Sequence, residues 1–122
     1  MTDIYDRSTW PPPEENPLVL LLRTDAQWFS NEQVVAALDL TPGRALLSSG
    51  TIFRKQIRDD DAAIESRGYL IPGNTVNRSN GGALRVFSRR AVVIAGMRTE
   101  TVNAAAFRDW LADQIVEGLR HG

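Results

Sequence analysis

Phe107, Trp110, Leu111, Ile115 and Leu119 fall at i, i+3, i+4, i+8 and i+12. At about 100° per residue that spacing puts all five on one side of an α-helix. A helix with one apolar side is stable only against another apolar surface, so the rest of the chain must supply one. With 122 residues, 43% of them hydrophobic, the chain fits a single domain with a modest core.

Upstream segments carry their own signals. Ser30 stands three residues before Gln33, the capping-box spacing, and Val34, Val35, Ala37 and Leu38 follow as an apolar face. Thr41-Pro42-Gly43 breaks that helix and offers a new cap and first turn, which predicts a second helix over Arg44–Ser48 and hence a helix-turn-helix. In TIFRKQIR, Ile52, Phe53, Gln56 and Ile57 fall on one helical side, and Arg54, Lys55 and Arg58 on the other. Such a helix either docks by one face and presents the other to DNA, or simply solvates its arginines. Asp59–Asp61 reads as the acidic first turn of a short helix ending at Gly68, in preference to a magnesium site. The continuous run Leu18–Leu22 reads as a buried strand. Tyr69–Ile71 and Ala83–Phe87 read as the two strands of a β-hairpin around the turn-rich NTVNRSNGG. Gly81-Gly82 lacks the GK[ST] of a phosphate loop. Ser88 can cap a helix over RRAVVIAGM.

Residues 1–17, with STWPPPEENP, read as a flexible proline-rich arm ahead of one domain over 18–120. No apolar run approaches the ~20 residues needed to span a bilayer, and PLVLLL behind an acidic start is not a signal peptide, so a cytoplasmic location is expected.

The formal net charge of −1 hides an asymmetry. Residues 44–98 hold ten Lys/Arg against four Asp/Glu, a net of +6, whereas the remainder holds four against eleven, a net of −7. The chain has no cysteine, and its single histidine is His121. No nucleophile–base pair, metal-ligand cluster or glycine fingerprint is present, so neither an enzyme, a metal nor a cofactor is expected.

Two stretches resemble the Bro-N domain of phage antirepressors and baculovirus Bro proteins, whose layout KilA-N and Rha-type phage regulators share. The first carries Trp28, Phe29, Val34, Ala37 and Leu38; the second carries Val86, Phe87, Met97-Arg98-Thr99 and Ala106-Phe107-Arg108-Asp109-Trp110. The chain departs from the family form in a shorter turn after Leu38, and in Ile115-Val116-Glu117 where leucine-proline is usual. The resemblance implies an α+β fold, a small winged helix-turn-helix-like domain with a short β-hairpin and an amphipathic C-terminal helix. It implies a DNA-binding, antirepressor-like transcription regulator in a bacterial host cell. The expected DNA contacts are Arg54, Lys55 and Arg58 on the basic helix, Arg78 and Arg85 on the hairpin, and Arg44, Arg89 and Arg90 in support. Double-stranded DNA is the expected partner, with a repressor protein and a homodimer through the last helix as further ones. The alternative is an interaction module that modulates a host or phage regulator without touching DNA.

Overall fold

The computed structural model describes residues 3–47, 51–73 and 84–121. The elements run α1 (Pro17–Arg23), β1 (Trp28–Ser30), α2 (Asn31–Ala37), α3 (Ile52–Gln56), β2 (Ala62–Ser66), β3 (Tyr69–Pro72), β4 (Leu84–Ser88), α4 (Arg89–Arg98) and α5 (Val102–His121). The fold is α+β, with one four-stranded antiparallel sheet in the order β1-β4-β2-β3.

The run Leu18–Leu22, expected as a strand, is helix α1. Its start lies just outside the apolar run. Asn16 is the N-cap, its Oδ1 accepting from the Leu18 and Val19 N–H at 3.0 and 3.4 Å, and Pro17 occupies the first turn. Asn16 is itself buried, and its Nδ2 donates to the Asn103 carbonyl at 3.0 Å, which ties α1 to α5. Asn16→Ala removes the cap and the Asn16–Asn103 bond. It is expected to lower stability by about 2 kcal/mol in a urea titration.

Helix α2 forms as its capping box predicts, with reciprocal bonds between Ser30 and Gln33 at 3.1 and 2.9 Å. The second helix expected over Arg44–Ser48 does not follow. Arg44–Leu47 form no helix, and Ser48 lies outside the described residues. Asn31 explains the outcome. Its Nδ2 donates to the Arg44 carbonyl at 2.8 Å and its Oδ1 accepts from the Leu46 N–H at 3.0 Å. Backbone groups that a helix would pair internally are thus bonded to α2, and the helix-turn-helix expected here is absent over 30–47.

The segment after α3 is also corrected. Asp59–Asp61 make one 3-10 turn, and Ala62–Ser66 then continue as strand β2, not as a helix. Ala62 and Ala63 pair with Phe87 and Val86 of β4, all four buried. Arg67 and Gly68 follow at φ +52° and +83°, with Ser66 opposite Tyr69. Two consecutive left-handed residues are what a tight two-residue hairpin needs. The hairpin is therefore β2–β3. The hairpin expected between β3 and β4 is not formed, because β2 lies between them. The tip 74–82, with Arg78, lies outside the described residues.

Strand β4 is central. Phe87 faces Phe29 of β1 on one side and Ala62 on the other, and the three belong to the main core cluster. Ser88 ends β4 and caps α4, its Oγ accepting from the Ala91 N–H at 3.1 Å. Val92, Ala95 and Gly96 of α4 are buried, as is α5 from Ala104 to Phe107. Beyond Leu111 every side chain of α5 to His121 is exposed. The segment before α1 is tied to the end of the chain: Tyr5 Oη donates to Glu100, between α4 and α5, at 2.8 Å, and Arg7 pairs with Asp109 of α5 at 3.0 Å while its guanidinium sits 4.8 Å from the Trp10 ring centre.

Candidate nucleic-acid interface

Helix α3 is a single basic turn held down at both ends. Thr51 caps it, its Oγ1 accepting from the Arg54 N–H at 3.3 Å. Phe53 packs edge-on against Phe87 with ring centres 5.5 Å apart, and Ile57 at the far end is buried. Arg54 and Lys55 occupy the last turn; Lys55 is exposed and Arg54 half-buried.

One cleft is lined by residues of this turn, and a second includes Arg58, just past it. The first, of about 490 Å³, is lined by Arg44, Arg98, Glu100, Ile52 and Phe53. The other, of about 360 Å³, is lined by Arg58, Arg89 and Arg90 together with Trp28, Asp60 and Asp61. The structure thus brings Arg58, Arg89 and Arg90 together in one cleft, places Arg44 in the other, and joins to Arg44 there Arg98, which was not among the expected contacts.

Asp61 organises the second cleft. It is buried, and its carboxylate accepts from the Arg58 N–H at 2.8 Å, from Ser88 Oγ at 2.7 Å and from the Arg90 guanidinium. Burial pushes its pKa up. The bonds from Arg58, Ser88 and Arg90, with the Arg90 charge, outweigh that and hold it below the ordinary carboxylate value. Asp61 therefore fixes the chain leaving α3 to the start of α4. Sequence reading missed it because Asp59, Asp60 and Asp61 look alike until the strand that follows is known.

The remaining expected contacts differ in what already holds them. Arg89 donates to the Leu22, Thr24 and Ala26 carbonyls, closing the C-terminal end of α1. Arg90 pairs with Asp61 but keeps 44% of its side chain exposed, enough to reach a second anion. Arg85 donates to the Gly73 carbonyl at 3.2 Å, and burial lowers its pKa. Among the described residues no group of three or more His, Cys, Asp or Glu could hold a metal ion, and no helix is long and apolar enough to cross a membrane.

The fold and these clefts define a small α+β domain with a cationic helical turn. No family model, curated protein or solved structure matches the chain.

Proposed function

We propose that the chain is a DNA-binding regulator, antirepressor-like as its Bro-N resemblance implies, acting in a bacterial cytoplasm. The observation that carries this reading is a basic turn, α3, anchored by Phe53 and Ile57, with Arg44 and Arg98 in the cleft that its Ile52 and Phe53 line and Arg58, Arg89 and Arg90 in a second cleft that begins just past it. Arginine forks suit phosphate and guanine alike. The direct contacts are Arg44, Arg54, Lys55, Arg58 and Arg90. Arg89 acts indirectly, by holding α1 against α4, and Arg85 by supporting the end of β3. α3 is seated by α4 and by Phe53 against Phe87 of β4.

Fluorescence anisotropy with a generic labelled duplex tests this. Micromolar binding at low salt is expected. Lys55→Ala/Arg58→Ala removes two phosphate-binding cations at once and should weaken it about tenfold or more. Full-strength binding by that pair would contradict the assignment of α3. The alternative, an interaction module, draws support from the uncovered apolar side chains of α5.

A further inference from the structure

The cleft that Ile52 and Phe53 line has two unlike parts. Leu40, Leu46 and Phe53, each partly buried against the core, make it apolar together with the exposed Ile52. Arg44 and Arg98, both exposed, supply its cations. Among the described residues neither guanidinium has a carboxylate partner. Glu100 lines the cleft too, but its carboxylate accepts from Tyr5 Oη at 2.8 Å and lies 4.0 Å from the Arg108 guanidinium. A phosphodiester backbone needs the cations and has no use for the apolar part. Small-molecule sites combine an apolar lining with a few charged groups that orient the ligand, and about 490 Å³ is an ordinary size for one. We propose that this cleft binds a small organic anion, an apolar body ending in a carboxylate. The body would lie on Leu40, Leu46, Ile52 and Phe53, and the carboxylate would meet Arg44 and Arg98.

The cleft is built before any ligand arrives. Asn31 of α2 bonds the Arg44 carbonyl and the Leu46 N–H at 2.8 and 3.0 Å, which fixes the backbone that carries Arg44 and Leu46. At the end of α4, the Thr99 N–H and Oγ1 donate to the Ala95 carbonyl at 3.1 and 2.8 Å. Arg108 Nη1 donates to the Gly96 and Thr99 carbonyls at 3.0 and 2.6 Å. These bonds hold the backbone on both sides of Arg98. They also occupy carbonyls at the C-terminal end of α4 that would repel an anion if left bare. Because the backbone is already ordered, binding costs little beyond fixing the two arginine side chains. Each guanidinium can meet a carboxylate through two parallel N–H···O bonds, which accounts for arginine in place of lysine at both positions.

The inference concerns the free protein, so it stands or falls apart from duplex binding. Two-dimensional amide NMR of the full chain, titrated with naphthoate, tests it; this probe joins an apolar ring pair to one carboxylate. Naphthoate should bind with a dissociation constant of about 1 mM or tighter. The amide signals of Leu46, Ile52, Phe53 and Thr99 should move most. The neutral analogue naphthalenemethanol should bind about tenfold more weakly, and Arg44→Gln/Arg98→Gln should weaken naphthoate by about tenfold or more. Ile52→Gln should weaken naphthoate as well, by removing apolar contact. All three side chains are exposed, so the fold is expected to survive, and the amide spectrum of each variant verifies that. Arg120→Gln, at the exposed end of α5, should bind naphthoate as the wild type does. No saturable shift in the millimolar range would overturn the proposal. So would equal affinity for naphthalenemethanol, undiminished binding by Arg44→Gln/Arg98→Gln, an equal loss in Arg120→Gln, or shifts confined to Tyr69, Ile115 and their neighbours.

Discussion

Replacing Gly96 by alanine is expected to destabilise the fold by about 1–3 kcal/mol, the reverse of the gain of about 0.5–1 kcal/mol that the same change brings inside an unobstructed helix. A Cβ at Gly96 would lie 2.5 and 2.6 Å from Cδ2 and Cε2 of Phe107. The ring cannot yield easily. Phe107 is fully buried, and Trp110 packs beside it with ring centres 5.9 Å apart. The strain must be relieved by moving α4 away from α5, and with it the packing that closes the core. Gly118→Ala supplies the control. A Cβ there would meet nothing within 4 Å, so it should raise stability by up to about 1 kcal/mol. Thermal unfolding separates the two cases by sign. Phe107→Leu should recover part of the loss in the Gly96→Ala background, a coupling that a double-mutant cycle measures. Equal and favourable shifts from both glycines would show that α4 and α5 do not meet at Gly96.

Asp61→Asn is expected to cost about 3 kcal/mol at neutral pH, because the buried site loses its charge pair and one strong acceptor. The pH dependence has a definite sign. The Asp61 pKa is lowered in the folded protein, so the unfolded chain binds its proton more readily and stability rises with pH. The contribution is complete above the unfolded value of about 3.9 and is lost as pH falls through the lower folded value. The gap between wild type and variant should therefore close in acid, below about pH 4. A gap that stays constant to pH 2 would show that the carboxylate charge does not stabilise the fold. Binding should move the other way. Removing a negative charge from the Arg58–Arg90 cleft should leave the affinity of the folded variant for duplex unchanged or tighter, measured at a temperature where it remains folded.

Parts of this fold are legible in local sequence because the cues sit beside the elements they set. Ser30 and Gln33 announce α2, and Ser88 announces α4. The α5 stripe is legible too, although only Phe107, Trp110 and Leu111 find the core and the rest continue past it. The run Leu18–Leu22 has no period of its own, so only Asn16-Pro17 distinguishes helix from strand. Pro42 resembles the start of a helix, but Asn31 takes the backbone groups that helix would need. Ala62 and Ala63 favour a helix in isolation, and pairing with β4 overrides that preference. The candidate site shows the same division. Its arginines are visible as a set. Their separate roles depend on distant partners: neighbouring Arg89 and Arg90 turn to the Leu22 carbonyl and to Asp61, both far away in the chain.

The central claim, that α3 and its clefts bind DNA, is tested most directly by the salt dependence of duplex binding. For about five neutralised phosphates, log K against log[salt] should fall with a slope of about −4 to −5. Lys55→Ala/Arg58→Ala should flatten that slope by about 2. A wild-type slope near zero, or no binding at the lowest salt, would contradict the account.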